Sequence, residues 1–117
     1  MDLYQWLKRA YLGSRSPSVR VPDSPGAPPV RRRYCFSGGV QGVGFRYTAK
    51  LLADELNLTG WAQNQRDGTV IVEIEGGMDR VDEFLRAMRE VPRFHIRGIE
   101  TEELPLSEKE TDFQVVY

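Results

Sequence analysis

The spacing of apolar residues predicts two helices in this chain. Apolar side chains recur at i, i+3, i+4 and i+7 along one stretch, namely Ala49, Leu52, Ala53 and Leu56, which predicts a helix from Phe45 to Leu56. A second stripe with helical spacing comprises Val81, Phe84, Leu85, Met88 and Val91. We expect Asp79 to cap this second helix and Pro92 to end it.

Alternation of apolar and polar residues predicts the strands. Residues 59–66 and 69–75 alternate with period two, and Asp67-Gly68 between them is a strong hairpin signal. Three further segments are predicted as the first, fourth and closing strands: residues 31–36, 95–103 and 112–117. This order predicts the α+β class with a ferredoxin-like split βαβ sandwich (βαββαβ), an antiparallel sheet with two helices on one face.

The first thirty residues differ from the rest in composition and charge. Five of the seven prolines lie between residues 16 and 30, in a Ser-, Pro- and Gly-rich stretch typical of a linker. Residues 2–12 have the spacing of a short amphipathic helix, which would be marginal alone. We therefore predict a basic N-terminal extension over residues 1–30 and one folded domain over residues 31–117, the length of a single core-forming unit.

The formal net charge of −1 divides unevenly along the chain. Residues 1–33 carry seven basic and two acidic side chains, whereas residues 34–117 carry nine basic and fifteen acidic ones. The folded domain is thus acidic, and we expect it to bind no nucleic acid. If the protein is tethered to an acidic partner, a nucleic acid or a membrane, that role falls to the extension.

The location of the protein can be predicted from what the sequence lacks. No run of apolar residues is long enough to span a membrane, and the N-terminus lacks the apolar core of a secretory signal. A single cysteine, Cys35, fits a reducing compartment. These features predict a cytoplasmic protein, and they leave its oligomeric state open.

Four glycines lie within seven consecutive positions, residues 38–44, between the first strand and the first helix. Glycines permit a tight turn that directs several backbone N–H groups at one point, and a helix start adds further free N–H groups. Arg46 adds a fork-shaped cation suited to phosphate or carboxylate. The turn is predicted to hold an anion, although it lacks the Gly-Lys-[Ser/Thr] ending of a nucleotide-binding P-loop and the G-x-G-x-x-G spacing of a dinucleotide site.

The glycine-rich turn and the segment after it also resemble a known family. The segment Ser37-Gly-Gly-Val-Gln-Gly-Val-Gly-Phe-Arg-Tyr47, followed by Thr59-Gly60-Trp61, Asn64 and the hairpin Asp67-Gly68-Thr69-Val70, resembles the acylphosphatase family. The likeness extends from about residue 32 to residue 117. It implies an enzyme that hydrolyses small acyl phosphates to a carboxylate and inorganic phosphate, with no metal and no cofactor.

The resemblance also implies roles for individual residues. By position, Arg46 would bind the phosphate and Asn64 would hold the attacking water. Backbone N–H groups of the turn would surround the phosphoryl oxygens: those of Val40, Gln41, Gly42, Val43 and Gly44. Gly39 departs from the family, in which a basic residue is usual there. An alternative function remains open, a module that binds a phosphate or carboxylate group in the same turn without turnover.

Overall fold

A computed structural model describes residues 27–117 of the chain. It contains five strands and two helices: β1 (Pro29–Gly39), α1 (Phe45–Glu55), β2 (Thr59–Asn64), β3 (Val70–Gly77), α2 (Met78–Arg89), β4 (His95–Leu104) and β5 (Phe113–Val116). The helix predicted over residues 2–12 lies outside the described residues. The boundary between an extension and a domain near residue 30 stays a prediction. No helix within residues 27–117 is long and apolar enough to cross a membrane.

The strands form one sheet in the order β4-β1-β3-β2-β5. All neighbouring strands are antiparallel except β2 and β5, which are parallel. The element order and the sheet topology confirm the predicted ferredoxin-like α+β fold. Both helices pack on one face, because alternate side chains of β1 and β3 and the apolar stripes of α1 and α2 belong to a single buried cluster.

The junction between β3 and α2 differs from the prediction. Asp79 does not cap α2; its N-cap is Gly77, and the carboxylate of Asp79 instead accepts a hydrogen bond from the backbone N–H of Arg80 at 2.9 Å. The prediction was wrong because β3 continues beyond the predicted residue 75, through Gly76 and Gly77, and leads directly into the helix. Asn57, just beyond the C-cap of α1, adopts the left-handed conformation common after helices, with φ 54°.

The hairpin after β2 is longer than the Asp67-Gly68 signal suggested. A two-residue turn of the favoured type needs positive φ at both positions, but of this pair only Gly68 has it. Asp67 instead uses its carboxylate to accept the N–H of Thr69 at 3.0 Å, which stabilises a loop over residues 65–69. The strand therefore ends at Asn64 rather than at residue 66, so Asn64 lies at the end of the sheet.

The sheet face opposite the helices carries charged side chains. Arg31 is 6% exposed and makes ion pairs with Glu73 (3.0 Å), Glu75 (3.2 Å) and Glu110 (2.6 Å). The hydrogen bond with Glu110 is the largest influence on Arg31, and together with the others it raises the pKa of Arg31 above its ordinary value against the effect of burial. Trp61 is half-buried on this same face, not in the core, because its neighbour Ala62 faces the helices.

Candidate active site

A cavity of about 200 Å³ lies where β1 leads into α1, beside the end of β2. Its lining residues come from the glycine-rich turn, the first turn of α1 and the last position of β2: Val40, Gly42, Gly44, Phe45, Arg46, Tyr47 and Asn64. Arg46 and Asn64, predicted from separate motifs, thus face one space. They meet there because α1 packs against β2 and β5, so its first turn lies near the ends of those strands.

Residues 40–44, which we call the glycine loop, present unused backbone donors. Among the backbone hydrogen bonds of the described chain, none is donated by residues 41–44. Val40 differs, because its side chain is fully buried and its N–H donates to the carbonyl of Gly38 at 3.0 Å. Val40 therefore anchors the loop, while the four N–H groups after it are available to an anion.

The start of α1 adds to this positive environment. Gly44 is its N-cap in the left-handed conformation, with φ 78°, which a residue with a side chain rarely adopts. No side chain caps the helix, and no acidic residue lies in its first turn. The positive end of the helix dipole is therefore left for an anion in the cavity that Gly44 lines.

The Arg46 side chain is held at one wall of the cavity. Its Nη1 donates to the carbonyl of Val116 in β5 at 3.0 Å, and the guanidinium lies 4.8 Å from the centroid of the Tyr117 ring. Tyr117 is itself hydrogen-bonded through its hydroxyl to Tyr47. A guanidinium has five N–H donors, and Arg46 makes no ion pair within residues 27–117, so its charge and most of its donors remain for a ligand.

Asn64 comes from a different motif than Arg46 but lines the same cavity. It is the last residue of β2 and pairs with Val70 of β3, which fixes its backbone. None of the side-chain hydrogen bonds in the described part of the chain engages its amide. The amide therefore has a donor and an acceptor free to orient a small polar molecule such as water.

Two contacts that hold the glycine loop were not predicted. The Nε2 of Gln41 donates to the carbonyls of Gln65 at 2.7 Å and Thr69 at 2.9 Å, which ties the loop to the hairpin directly after Asn64. The Nε of Arg93 donates to the carbonyl of Val43 at 2.8 Å. Sequence reasoning gave Gln41 a role through its backbone alone and gave Arg93 none. A polar side chain within a run of glycines was the signal for Gln41.

The remaining chemical groups of the described chain lie elsewhere. Cys35 faces the sheet surface away from the helices, in a cleft with Arg33 and Ile71. His95 packs against Gly39, since its Cβ lies 3.2 Å from where a side chain at that position would begin. Within residues 27–117 no cluster of His, Cys, Asp and Glu is arranged to hold a metal ion. The cavity itself offers N–H donors, one cation and one amide, an arrangement suited to an oxyanion.

Comparison with known proteins identifies the family of the chain. The family model for acylphosphatase matches residues 32–115. The chain is 42% identical over 83 residues to the acylphosphatase of Pediococcus pentosaceus, covering 69% of this chain and 91% of that protein. The crystal structure of acylphosphatase from Bacillus subtilis superposes with a TM-score of 0.71 at 34% identity, covering 75% of this chain and 99% of that one. A structure of an acylphosphatase from Coxiella burnetii gives a TM-score of 0.70 at 30% identity, with 75% and 93% covered. The chain therefore belongs to the acylphosphatase family.

Proposed function

We propose that this protein hydrolyses small acyl phosphates to a carboxylate and inorganic phosphate. Family membership supports the reaction, and one observation about the site carries the assignment of residues. Arg46, Asn64 and two residues of the glycine loop with unused N–H groups, Gly42 and Gly44, line a single cavity, although Arg46 and Asn64 lie on different elements. A phosphoryl group and an attacking water can therefore be bound side by side.

The phosphoryl group is held by the glycine loop and Arg46. The N–H groups of Gln41, Gly42, Val43 and Gly44 donate to its oxygens, and Val40 forms the buried wall behind them. Arg46 adds charge-assisted hydrogen bonds from the donors that Val116 does not use. Phosphoryl transfer passes through a loose transition state with charge on the equatorial oxygens, so fixed donors and one cation supply most of the stabilisation.

Asn64 orients the attacking water. Its amide accepts one hydrogen bond and donates another, but it cannot remove a proton. The water oxygen forms a bond to phosphorus, the bond from phosphorus to the acyl oxygen breaks, and the carboxylate leaves with the electron pair. The proton of the water passes to a phosphate oxygen of the substrate. Because a carboxylate is a good leaving group, the reaction needs no strong general acid.

The rest of the proposal concerns where the domain works. We place the catalytic unit in residues 31–117, since the matched region begins at residue 32, and assign residues 1–30 to an extension outside the site. One cysteine in the whole chain supports a reducing cytoplasm as its location. The substrate is a small molecule, and the acidic balance of residues 34–117 argues against nucleic acid as a ligand of the domain.

Hydrolysis of benzoyl phosphate by the full chain and two variants tests this function. Arg46→Ala removes the cation, so we expect no measurable turnover and no binding of inorganic phosphate. Asn64→Ala leaves phosphate binding nearly intact but lowers kcat by on the order of 10²–10³, the usual effect of losing one positioned polar group. Arg89→Ala, a change at an exposed arginine on α2, is the control and should keep the wild-type rate.

The outcomes separate the two functions that the site permits. If the wild type binds phosphate saturably but releases none from benzoyl phosphate, the protein is a binding module and not an enzyme. A near-normal rate in Arg46→Ala or Asn64→Ala would remove that residue from its assigned role. Circular dichroism of each variant confirms that lost activity does not reflect lost folding.

A further inference from the structure

Arg93 contacts the glycine loop from outside the cavity. It lies between α2 and β4, and its Nε donates to the carbonyl of Val43, fifty positions away, at 2.8 Å. Neither Arg93 nor Val43 is among the residues that line the cavity. Its guanidinium also lies 5.7 Å from the ring centroid of Phe94, whose ring packs against Phe45 at the start of α1. Arg93 is therefore fixed to the same group of side chains that supports the loop.

This contact sets the direction of a backbone donor. The carbonyl of Val43 and the N–H of Gly44 belong to one peptide unit, which is planar and trans, so the two groups point in opposite directions. Arg93 binds the carbonyl side of this peptide, and neither Arg93 nor Val43 lines the cavity. The N–H of Gly44 lies on the opposite side of that peptide, and Gly44 lines the cavity.

The guanidinium of Arg93 is also incompletely satisfied. Its Nη2 is buried and has no hydrogen-bond partner within the described residues. The Nε and Nη2 protons of an arginine lie along one edge of the planar group, and Arg31 uses that same edge to grip Glu73. The edge of Arg93 that meets the loop thus has one neutral acceptor for its two donors, one of which is buried. Buried donors without partners are uncommon, and a nearby anion would use this charge.

We propose that Arg93 is a positioning residue for phosphate binding. It holds the peptide between Val43 and Gly44 so that the Gly44 N–H faces the phosphoryl oxygens, and it places a second positive charge behind the glycine loop. This inference rests on the proposed function in that both need an anion in the cavity. It does not need turnover, so binding of inorganic phosphate tests it even if no acyl phosphate is hydrolysed.

The experiment measures phosphate binding by titration calorimetry on the full chain and on three variants. Arg93→Met keeps the aliphatic stem over Phe94 and removes the charge and the donors. Arg93→Lys restores the charge and one donor that can reach the Val43 carbonyl. Arg89→Met is the matched control, because it removes the same charge from an exposed position four residues earlier. Urea unfolding of each variant measures stability independently.

We expect Arg93→Met to raise the Kd for inorganic phosphate about 10-fold to 100-fold, the range for losing a charge-assisted hydrogen bond. Arg93→Lys should recover most of this loss, and Arg89→Met should stay within twofold of wild type. Benzoyl phosphate kinetics should show the same loss mainly in KM. The proposal is overturned if Arg93→Met binds phosphate within twofold of wild type, or if Arg89→Met loses as much affinity. If Arg93→Met does not fold, Arg93→Gln takes its place, because it removes the charge but keeps a polar side chain. Weaker phosphate binding by Arg93→Gln than by Arg89→Met then supports the proposal, and equal binding by the two overturns it.

Discussion

The side chain of Gln41 connects the glycine loop to the hairpin that follows Asn64. Replacing this side chain tests what the connection contributes to catalysis. Its Nε2 spans from the glycine loop to the carbonyls of Gln65 and Thr69 in the loop that follows Asn64. Gln41→Met keeps the length and apolar stem of the side chain and removes both N–H donors. The backbone N–H of residue 41, proposed as a phosphate ligand, is unchanged by this substitution.

The expected loss of activity in Gln41→Met depends on the hydrogen bonds that the two carbonyl acceptors keep. The carbonyl of Gln65 still accepts the N–H of Gly68 at 3.2 Å, and that of Thr69 still accepts the N–H of Gln65 at 2.8 Å. Neither acceptor becomes unsatisfied, so the loss is the net value of two hydrogen bonds, about 1 kcal/mol each. A total of about 2 kcal/mol corresponds to at most a roughly 30-fold decrease in kcat/KM.

The decrease should appear in kcat more than in phosphate affinity. The glycine loop keeps its own donors, but the distance between the bound phosphoryl group and the water on Asn64 is no longer fixed. Gln41→Glu should be worse, because its carboxylate would face two carbonyl oxygens and would repel the substrate anion. Benzoyl phosphate kinetics and the Kd for inorganic phosphate measure the two effects separately.

Gln63→Met is the control for Gln41→Met, since Gln63 belongs to the same strand as Asn64 but alternation directs its side chain to the opposite face of the sheet. It should leave kcat within twofold of wild type. If both Gln41→Met and Gln41→Glu keep the wild-type kcat, the link between the glycine loop and the hairpin has no part in catalysis.

Two further predictions concern stability. Burial opposes ionisation of Glu75, but hydrogen bonds from the backbone N–H groups of residues 107–108 and from Arg31 outweigh burial and lower the pKa of Glu75. The contribution of Glu75 to the free energy of unfolding is therefore present above the ordinary Glu pKa and is lost as pH falls below about 4. Urea unfolding from pH 3 to pH 7 should show this loss in the wild type and a shallower one in Glu75→Gln; equal slopes would contradict it. Gly60 has φ 140°, and a Cβ there would lie 1.9 Å from the carbonyl oxygen of Glu73. Gly60→Ala should therefore lower the unfolding free energy by about 3 kcal/mol; a change below about 0.5 kcal/mol in urea titration would show that the strands adjust without cost.

The patterns of apolar residues were sufficient to predict the fold because each element follows one periodicity. The stripe on α1 and the alternation on β3 place their apolar residues in the common core, and the order of the elements then leaves few sheet topologies. Boundaries were less predictable. Asp79 is a good N-cap by residue type, yet β3 continues to Gly77 because β1 pairs with it that far. Local preference was overridden there by pairing between strands.

The site could be predicted in part for a similar reason. Consecutive residues carry the glycine loop and Arg46, so a sequence motif reveals them together, and the second motif reveals Asn64. Their convergence on one cavity required the packing of α1 against β2 and β5. The contact of Gln41 with the hairpin joins positions 24 and 28 residues apart, and that of Arg93 with Val43 joins positions 50 apart.

By itself, the sequence determined the class of fold, the position of the glycine-rich turn and the residue types available for chemistry. These properties depend on periodicity, on glycine conformations and on side-chain charge, all of which are local. The tertiary structure alone decided which carbonyls Gln41 and Arg93 hold and which way the peptide before Gly44 faces. A hydrogen bond depends on distance and direction between atoms that the chain brings together only when the sheet and helices pack, and so no local pattern records it.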